Sequence, residues 1–368
     1  MDALPELRSV AADSFPPAER HPSGGSVQRV NPLEDAGWDA MLMTGSSPCF
    51  FHSAAWAKVL QSTYGYFPIY FTVRESGRLR TLLPIMEVDS WLTGRRGVSL
   101  PFTDECEPLC SDPASFGCVL REAMEYAEAR GWKYLECRGG RTLFNGAPAS
   151  TSFYGHRLSL ADKEEVLFAN IDSAVRRAIR KAEKSGVRVE FSQSLEAVRM
   201  FYELQCQTRQ KHGLPPQPFR FFQNIQAHVL SRNQGFVVLA MYKQRSVAAA
   251  VFFHWGKRAI YKFGASDETF QHVRPNNLVM WEAIKWHAAN GFEQLHLGRT
   301  SLGNEGLRRF KLGWGTQEHR IEYVRYDRRA GGFVTARDES SGWHNRVFRA
   351  LPCFLSRQIG AVLYKHVA

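Results

Sequence analysis

The stretch RRFKLGWG, residues 308–315, places Lys311 between Phe310 and Leu312, with Trp314 close behind. A low-dielectric setting penalises an ammonium unless an anion balances it, so a lysine among aromatics is a candidate for holding negative charge. A lysine that runs its stem along a strand edge and keeps its head in water gives the same local pattern. Upstream, IYKFGASDETFQHVRPNN (260–277) offers a second set of groups. Gly264 permits close backbone approach after a strand. Asp267 and Glu268 are carboxylates able to take a proton. Asn276 stands at the start of a helix, where it either meets a ligand oxygen or caps the helix. A third set lies in IDSAVRRAIRKAEKSG (171–186), where Arg176, Arg180 and Lys184 recur every fourth residue and share one helical face. Val175, Ala178, Ile179 and Ala182 form the inward stripe. Such a face is either solvated or a rail for phosphates, which guanidinium forks grip bidentately.

The elements that must position these groups follow from periodicity and punctuation. FPIYFTVRE and LRTLLPIMEV read as a hairpin turning at Ser76 and Gly77, and residues 115–130 as a helix stopped by Gly131 before the strand WKYLECR. The second half repeats the order: a helix capped by Asp172 and Ser173 and ended by Gly186, the strand VRVEF, a helix over LEAVRMFYELQCQTRQKH ended by Gly213, and one from 219 to about 231. The strands FVVLAMY, VAAAVFFHW and AIYKFGAS, the helix NNLVMWEAIKWHAAN and the strand FEQLHLG complete it. This repetition predicts two copies of one α/β module, at 31–160 and 161–330, between a loose tail (1–30) and a basic amphipathic segment (331–368). The latter mixes Trp343, Val347, Phe348, Leu351, Phe354, Leu355, Ile359, Val362 and Leu363 with Arg346, Arg349, Arg357 and Lys365. It reads as an interfacial helix or as a helix packed on the second module.

Composition narrows the classes. With 44% hydrophobic residues over 368 positions a substantial core is available, which excludes a wholly disordered chain. Forty-seven Lys and Arg against 36 Asp and Glu, a formal charge of +11, attract polyanionic partners such as tRNA, a phosphate-bearing substrate or an acidic membrane face. No run of 18 apolar residues occurs, so no ordinary spanning helix is expected, and the first 26 residues lack the pattern of a secretory signal. Seven scattered cysteines without a C-x-x-C pair read as reduced thiols. Cys106, Cys110 and Cys118 have no partner at zinc-finger spacing, so no metal is expected. Phosphate-loop, dinucleotide and nucleophile-elbow motifs are missing, and so is the Q/R-x-x-G-x-G/A turn of ordinary coenzyme-A acetyltransferases.

The order of WAKV (56–59), RRAIRKAEKSGV (176–187), KHG followed by PFRFFQ (211–223), IYKFGASDE, the NNLVMWEAIKWHAANG helix and HLGRTSLGNEGLRRFKLGWG resembles the FemAB family and its FemAB-like or BioF2-like relatives, including an exosortase- and exopolysaccharide-associated group. That resemblance implies an α/β (α+β) fold of two tandem GNAT-like acyltransferase modules, each a mixed sheet flanked by helices. It implies an N-acyltransferase that moves an aminoacyl or acyl group to an amine of an envelope or exopolysaccharide precursor. Phe310 would then shape the site and Lys311 would stabilise the oxyanion. The substrate, or a carboxylate of Asp267, Glu268 or Glu305, would take the amine proton. Lys58, Arg176, Arg180, Lys184 and Tyr261 correspond to acceptor-holding positions. Gln217 and Phe221 stand where relatives that handle nucleotide-linked muropeptides carry Arg and Tyr. The expected donor is aminoacyl-tRNA or acyl-CoA, no cofactor is tightly bound, and the expected place is the cytoplasm or the inner membrane surface. Two alternatives are an acyl-CoA or acyl-carrier-protein dependent N-acetyltransferase, and a non-catalytic module that binds polyanions or a membrane surface during polymer export.

Overall fold

Residues 26–335, 348–349 and 351–367 are described in a computed structural model. The chain divides into two compact units. One comprises residues up to Phe153, the segment from Arg320 and the last residues from Lys365; the other comprises Tyr154–His319 and the segment ending at Tyr364.

In the first unit, β1 (Val27–Val30), β2 (Phe67–Glu75), β3 (Arg78–Val88), β4 (Arg96–Val98), β6 (Tyr134–Arg138) and β13 (Gln317–Asp327) are neighbours in that order. β5 (Leu109–Cys110) pairs with β3, and β14 (Gly332–Phe333) with β13. The pairings are antiparallel except β4 with β6, so the sheet is mixed. The β2–β3 turn is the expected one: Ser76 and Gly77 both have positive φ, +49° and +74°, which suits the right-handed twist of the flanking strands. Helices α1 (Trp38–Leu42), α2 (Ala54–Tyr64) and α3 (Pro113–Ala129) accompany the sheet. α3 buries Phe116, Val119, Leu120 and Ala123 against Phe71, Leu83, Ile85 and Trp132. A linear cut at 330 assigns all of β13 to the second module. Its register Tyr323↔Arg138 to Asp327↔Tyr134 ties that part to the first unit instead.

In the second unit the order is β7 (Thr151–Ser159), β12 (Gln294–Ser301), β11 (Arg258–Ser266), β10 (Arg245–Trp255), β9 (Gly235–Tyr242) and β8 (Arg188–Ser192). β8 to β11 are antiparallel neighbours, and β11 and β12 run parallel. Side chains alternate across these strands. Phe236, Val238, Ala248, Ala250 and Phe252 pack with α5 (Ser173–Lys184) and α8 (Pro275–Ala289) through Ile179, Ala182, Leu278, Trp281 and Ile284. Phe263 meets Phe201 of α6 (Leu195–Lys211) and Phe221 and Phe222 of α7 (Phe219–His228). The basic helix keeps its expected limits: Asp172 accepts from Ala174 N–H at 2.8 Å, and Gly186 follows at φ +82°.

Several elements depart from the sequence reading, among them strand β1 inside the segment read as a loose tail, and strands β7 and β13. The segment around Lys311 is a helix, α9 (Glu305–Leu312), rather than a loop running to a strand edge. Short helix α4 (Glu164–Asn170) was not expected. The C-terminal helix, α10 (Cys353–Leu363), packs on α6 and on the loop at 215–218, in line with the expected helix packed on the second module. Gln210 Nε2 donates to Leu351 O at 2.9 Å, Tyr364 Oη to Pro215 O at 3.2 Å, and a Cβ at Gly360 would overlap Pro216 O. Its outer face leaves Phe354 and Val362 exposed. Trp343, Arg346 and Val347 lie outside the described residues. No helix among the described residues is long and apolar enough to cross a membrane.

Candidate functional site

β11 and β12 hydrogen-bond as a parallel pair only from Arg258↔Gln294 to Ile260↔His296, although both strands continue for several residues. Two irregularities lie at or just beyond the end of the ladder. On β11 the register with β10 slips between Val251 and Phe252, so Lys262 is an extra residue there. On β12 Gly298 takes φ +71°, a left-handed conformation that suits glycine. The strands therefore part, and the carbonyls of Gly298 and Arg299 need donors other than β11. Lys311 supplies them: its Nζ donates to Gly298 O and to Arg299 O, each at 2.9 Å, and the residue is 3% exposed. The lysine is thus neither snorkelling nor at a strand edge. Asn304 Oδ1 caps its helix through Leu307 N–H at 3.1 Å, and Phe310 packs edge-on against Trp314.

Around the ammonium lie groups that no local pattern marks. His156 on β7 is fully buried and within its electrostatic reach. His156 Nε2 is 3.2 Å from Glu318 Oε2, and Arg308 grips Glu318 through Nε and Nη2 at 2.7 and 2.9 Å while stacking over the Tyr154 ring. His156 Nδ1, Thr300 Oγ1 and Trp314 Nε1 are buried without a hydrogen-bond partner among the described residues. Burial, joined by the charge of Lys311, pushes His156 down to about 4 against the pull of Glu318. The Arg308 fork holds Glu318 below the usual carboxylate range. Burial, joined by His254, brings His287 of α8 to about 4 against the pull of the Ala283 carbonyl.

Folding therefore keeps both imidazoles neutral, whereas the unfolded chain protonates them near the ordinary value of 6.5. Stability from this source is complete above pH 6.5 and is lost as the pH falls toward 4. For His287 the loss is on the order of 3 kcal/mol by linkage. Calorimetric melting between pH 7.5 and 4.5 is expected to show the midpoint falling steadily, and a flat profile above pH 5 would contradict this.

On the β11 side of the parting, Tyr261 and Gly264 fit one another, since a Cβ at Gly264 would overlap the Tyr261 hydroxyl. Burial pushes that phenol up to about 12, so it stays neutral. Gly264→Ala is expected to cost about 1–3 kcal/mol through overpacking and, by displacing Tyr261, to lower turnover roughly tenfold. Activity and urea unfolding measured together check both effects.

The other expected site residues fall into separate places. Asp267, Ser266, Glu268 and Gln271 line a cleft of about 360 Å³ with Thr208, Lys211 and His212. Asn276 reaches Ser266 Oγ at 3.0 Å; it does not cap α8, whose cap position is Arg274 with φ +56° ahead of Pro275. The carboxylates considered as bases are engaged: Asp267 Oδ1 accepts from Thr269 N–H and Oγ1, Glu268 pairs with Lys211, and Glu305 pairs with Arg308. Gln217 is buried in the loop before α7. Lys58 belongs to the first unit, is exposed, and donates to Gln61 Oε1 at 3.2 Å. The basic helix starts where the lysine helix ends, Asp172 N–H donating to Gly313 O at 2.9 Å. Arg180 and Lys184 are exposed along it, with Arg180 over the Phe168 ring, and Arg176 is half-buried.

The family described as an acetyltransferase (GNAT) domain matches residues 170–312, the stretch from the basic helix through Lys311. Among solved structures, FemX superposes with a TM-score of 0.66 at 14% identity, over 82% of this chain and 97% of its own. The C-terminal domain of a putative lysylphosphatidylglycerol synthetase from Agrobacterium fabrum gives 0.55 at 13% identity, over 87% and 95%. A tandem GNAT protein from the clavulanic acid biosynthesis pathway gives 0.53 at 12% identity, over 82% and 98%. At these identities the likeness is one of fold: mixed α/β, GNAT-like, with sheets flanked by helices. No curated protein matches the sequence.

Proposed function

We propose that the chain is an N-acyltransferase that moves an aminoacyl or acyl group from an activated ester or thioester onto an amine of an anionic envelope or exopolysaccharide precursor. One observation carries this reading: two parallel strands part inside the GNAT-matched stretch, and a buried ammonium is fixed on the carbonyls freed there. A preorganised cation in a low-dielectric spot is worth most where negative charge develops during reaction. The solved folds named for FemX and for a lysylphosphatidylglycerol synthetase support an envelope acceptor.

In the reaction the amine nitrogen bonds to the acyl carbon, the carbonyl oxygen becomes an oxyanion beside Lys311, and the bond to the donor oxygen or sulfur breaks. The departing atom takes the amine proton, since Asp267, Glu268 and Glu305 are already engaged. Phe310 shapes the helix that presents the lysine, Tyr261 stands on the β11 side of the parting, and the Gly298 and Arg299 carbonyls position the ammonium. Arg176, Arg180 and Lys184 draw phosphates toward the end of that helix, where Asp172 meets Gly313, and the protein works at the cytoplasmic face of the membrane. Arg180→Glu with Lys184→Glu is expected to raise KM about tenfold and to flatten its salt dependence while kcat stays unchanged; an unaltered salt profile removes the rail.

Labelled aminoacyl-tRNA and acyl-CoA, each offered with an amine-bearing phosphorylated precursor, test the reading. Transfer from the tRNA that ribonuclease abolishes is the expected result. Thiol release from acyl-CoA reassigns the donor to the thioester class. Salt-sensitive binding through the basic helix with no turnover of either donor leaves a polyanion-binding module and ends the enzymatic assignment.

A further inference from the structure

Far along the chain from these residues, the first unit gathers three soft donor atoms. Cys49 Sγ, His52 Nδ1 and Cys106 Sγ all lie within 4.8 Å of one another. Cys49 Sγ and His52 Nδ1 are 3.2 Å apart, close to the edge of about 3.6 Å that Zn–S and Zn–N bond lengths give in a tetrahedral centre. His52 and Cys106 are buried, and Cys49 is half-buried and so gives the cluster a way out to solvent.

The backbone around the three is held from several sides. Trp38 Nε1 donates to His52 O at 2.9 Å, Cys106 N–H donates to Arg138 O at 2.8 Å, and Ser99 Oγ donates to Cys106 O at 3.2 Å. The imidazole is oriented as well: His52 Nε2 donates to Glu107 O at 2.8 Å, which puts the ring lone pair on Nδ1, the atom facing Cys49. A backbone carbonyl on the far ring nitrogen is the usual outer support of a ligating histidine. The Cys49 amide also points at Nδ1, at 3.0 Å, and a metal would take that lone pair in its place. Beside the cluster, within electrostatic range of both thiols, the fully buried Tyr70 hydroxyl has no hydrogen-bond partner among the described residues. A buried hydroxyl without a partner beside such a donor set is the complement of a bound ion or of its solvent ligand.

We propose that Cys49, His52 and Cys106 bind one Zn²⁺ ion through Sγ, Nδ1 and Sγ, with a solvent molecule in the fourth position bonded to Tyr70. Two thiolates and an imidazole select Zn²⁺ over hard cations such as Mg²⁺ and Ca²⁺. Binding releases the two thiol protons to solvent and leaves the centre neutral. The C-x-x-H half of the site is local, but its partner cysteine arrives from a distant part of the chain, so zinc-finger spacing does not reveal it. Cys110 and Cys118 take no part.

Elemental analysis of the full chain, produced in zinc-supplemented medium and desalted, tests the site. About one Zn²⁺ per chain is expected, falling to a background trace in Cys49→Ser and in Cys106→Ser and unchanged in Cys118→Ser. Cobalt substituted into the wild-type protein is expected to give an intense near-ultraviolet thiolate-to-metal band, a readout that does not depend on how well the variants fold. Wild-type protein without zinc or cobalt uptake overturns the site. So does zinc that persists in both serine variants, or a Cys49–Cys106 disulfide recovered in place of metal.

Discussion

Lys311→Met is expected to lower turnover by about 10²- to 10³-fold, the usual effect of removing a donor that faces a developing oxyanion. The substitution also strips donors from Gly298 O and Arg299 O. Buried carbonyls left unsatisfied cost about 1–3 kcal/mol each, so the variant melts earlier. Assays must therefore run where circular dichroism shows it folded, with rates corrected for the folded fraction. The corrected loss should appear in kcat far more than in KM, because the interaction strengthens only as the oxyanion forms. Lys311→Arg keeps a charge but cannot place a single nitrogen on both carbonyls in the same way, and it is expected to recover stability better than rate. If corrected turnover in Lys311→Met equals that of the parent, the lysine only closes the open end of a strand and the proposed chemistry falls.

The second large effect concerns the first unit. Glu136 on β6 is 5% exposed and holds two cations: Arg138 Nε at 3.1 Å and Arg325 Nε at 3.2 Å. Burial pushes its carboxyl up, and the two guanidinium groups more than offset that, so it lies below the usual carboxylate range. Both arginines also sit over rings, Arg138 over Tyr323 and Arg325 over Tyr134. Glu136→Gln keeps the shape but leaves a buried Arg138 uncompensated, which is expected to destabilise the unit by about 3–5 kcal/mol. Because the folded pKa is lowered, this stability is present above the ordinary carboxylate range and is lost as the pH falls through the folded value. Urea unfolding at pH 7 of the parent and the variant reads the difference, and a loss under about 1 kcal/mol would mean that solvent already screens the cluster as it does surface pairs.

Much of the architecture was legible from short-range chemistry. Ser76–Gly77 marks a hairpin, Asp172 and Gly186 bracket the basic helix, and Gly131 and Gly213 stop helices as expected. The repetition of hairpin, helix and strand pointed to two α/β modules, and the structure has two compact units of mixed sheet and helices. The helix that carries Lys311 was missed because Gly303, Gly306 and Gly313 punctuate it, and eight residues give too little periodicity to outweigh them. Strand β7 carries His156 in TSFYGHRLS, where nothing local separates a site histidine from a core one. Asn276 resembled a cap from its position beside Pro275, but a left-handed Arg274 holds that place.

The sequence by itself determined most of the longer helices and strands, where the β2–β3 hairpin turns, and that aromatic residues flank Lys311. Caps, turn residues and periodicity act over a few positions, so a single segment reveals them. Tertiary structure decided the rest: that β11 and β12 separate where Lys311 can bind the freed carbonyls, and that Cys106 comes to rest beside Cys49 and His52. Those outcomes depend on how distant stretches of backbone cross, which no local spacing encodes.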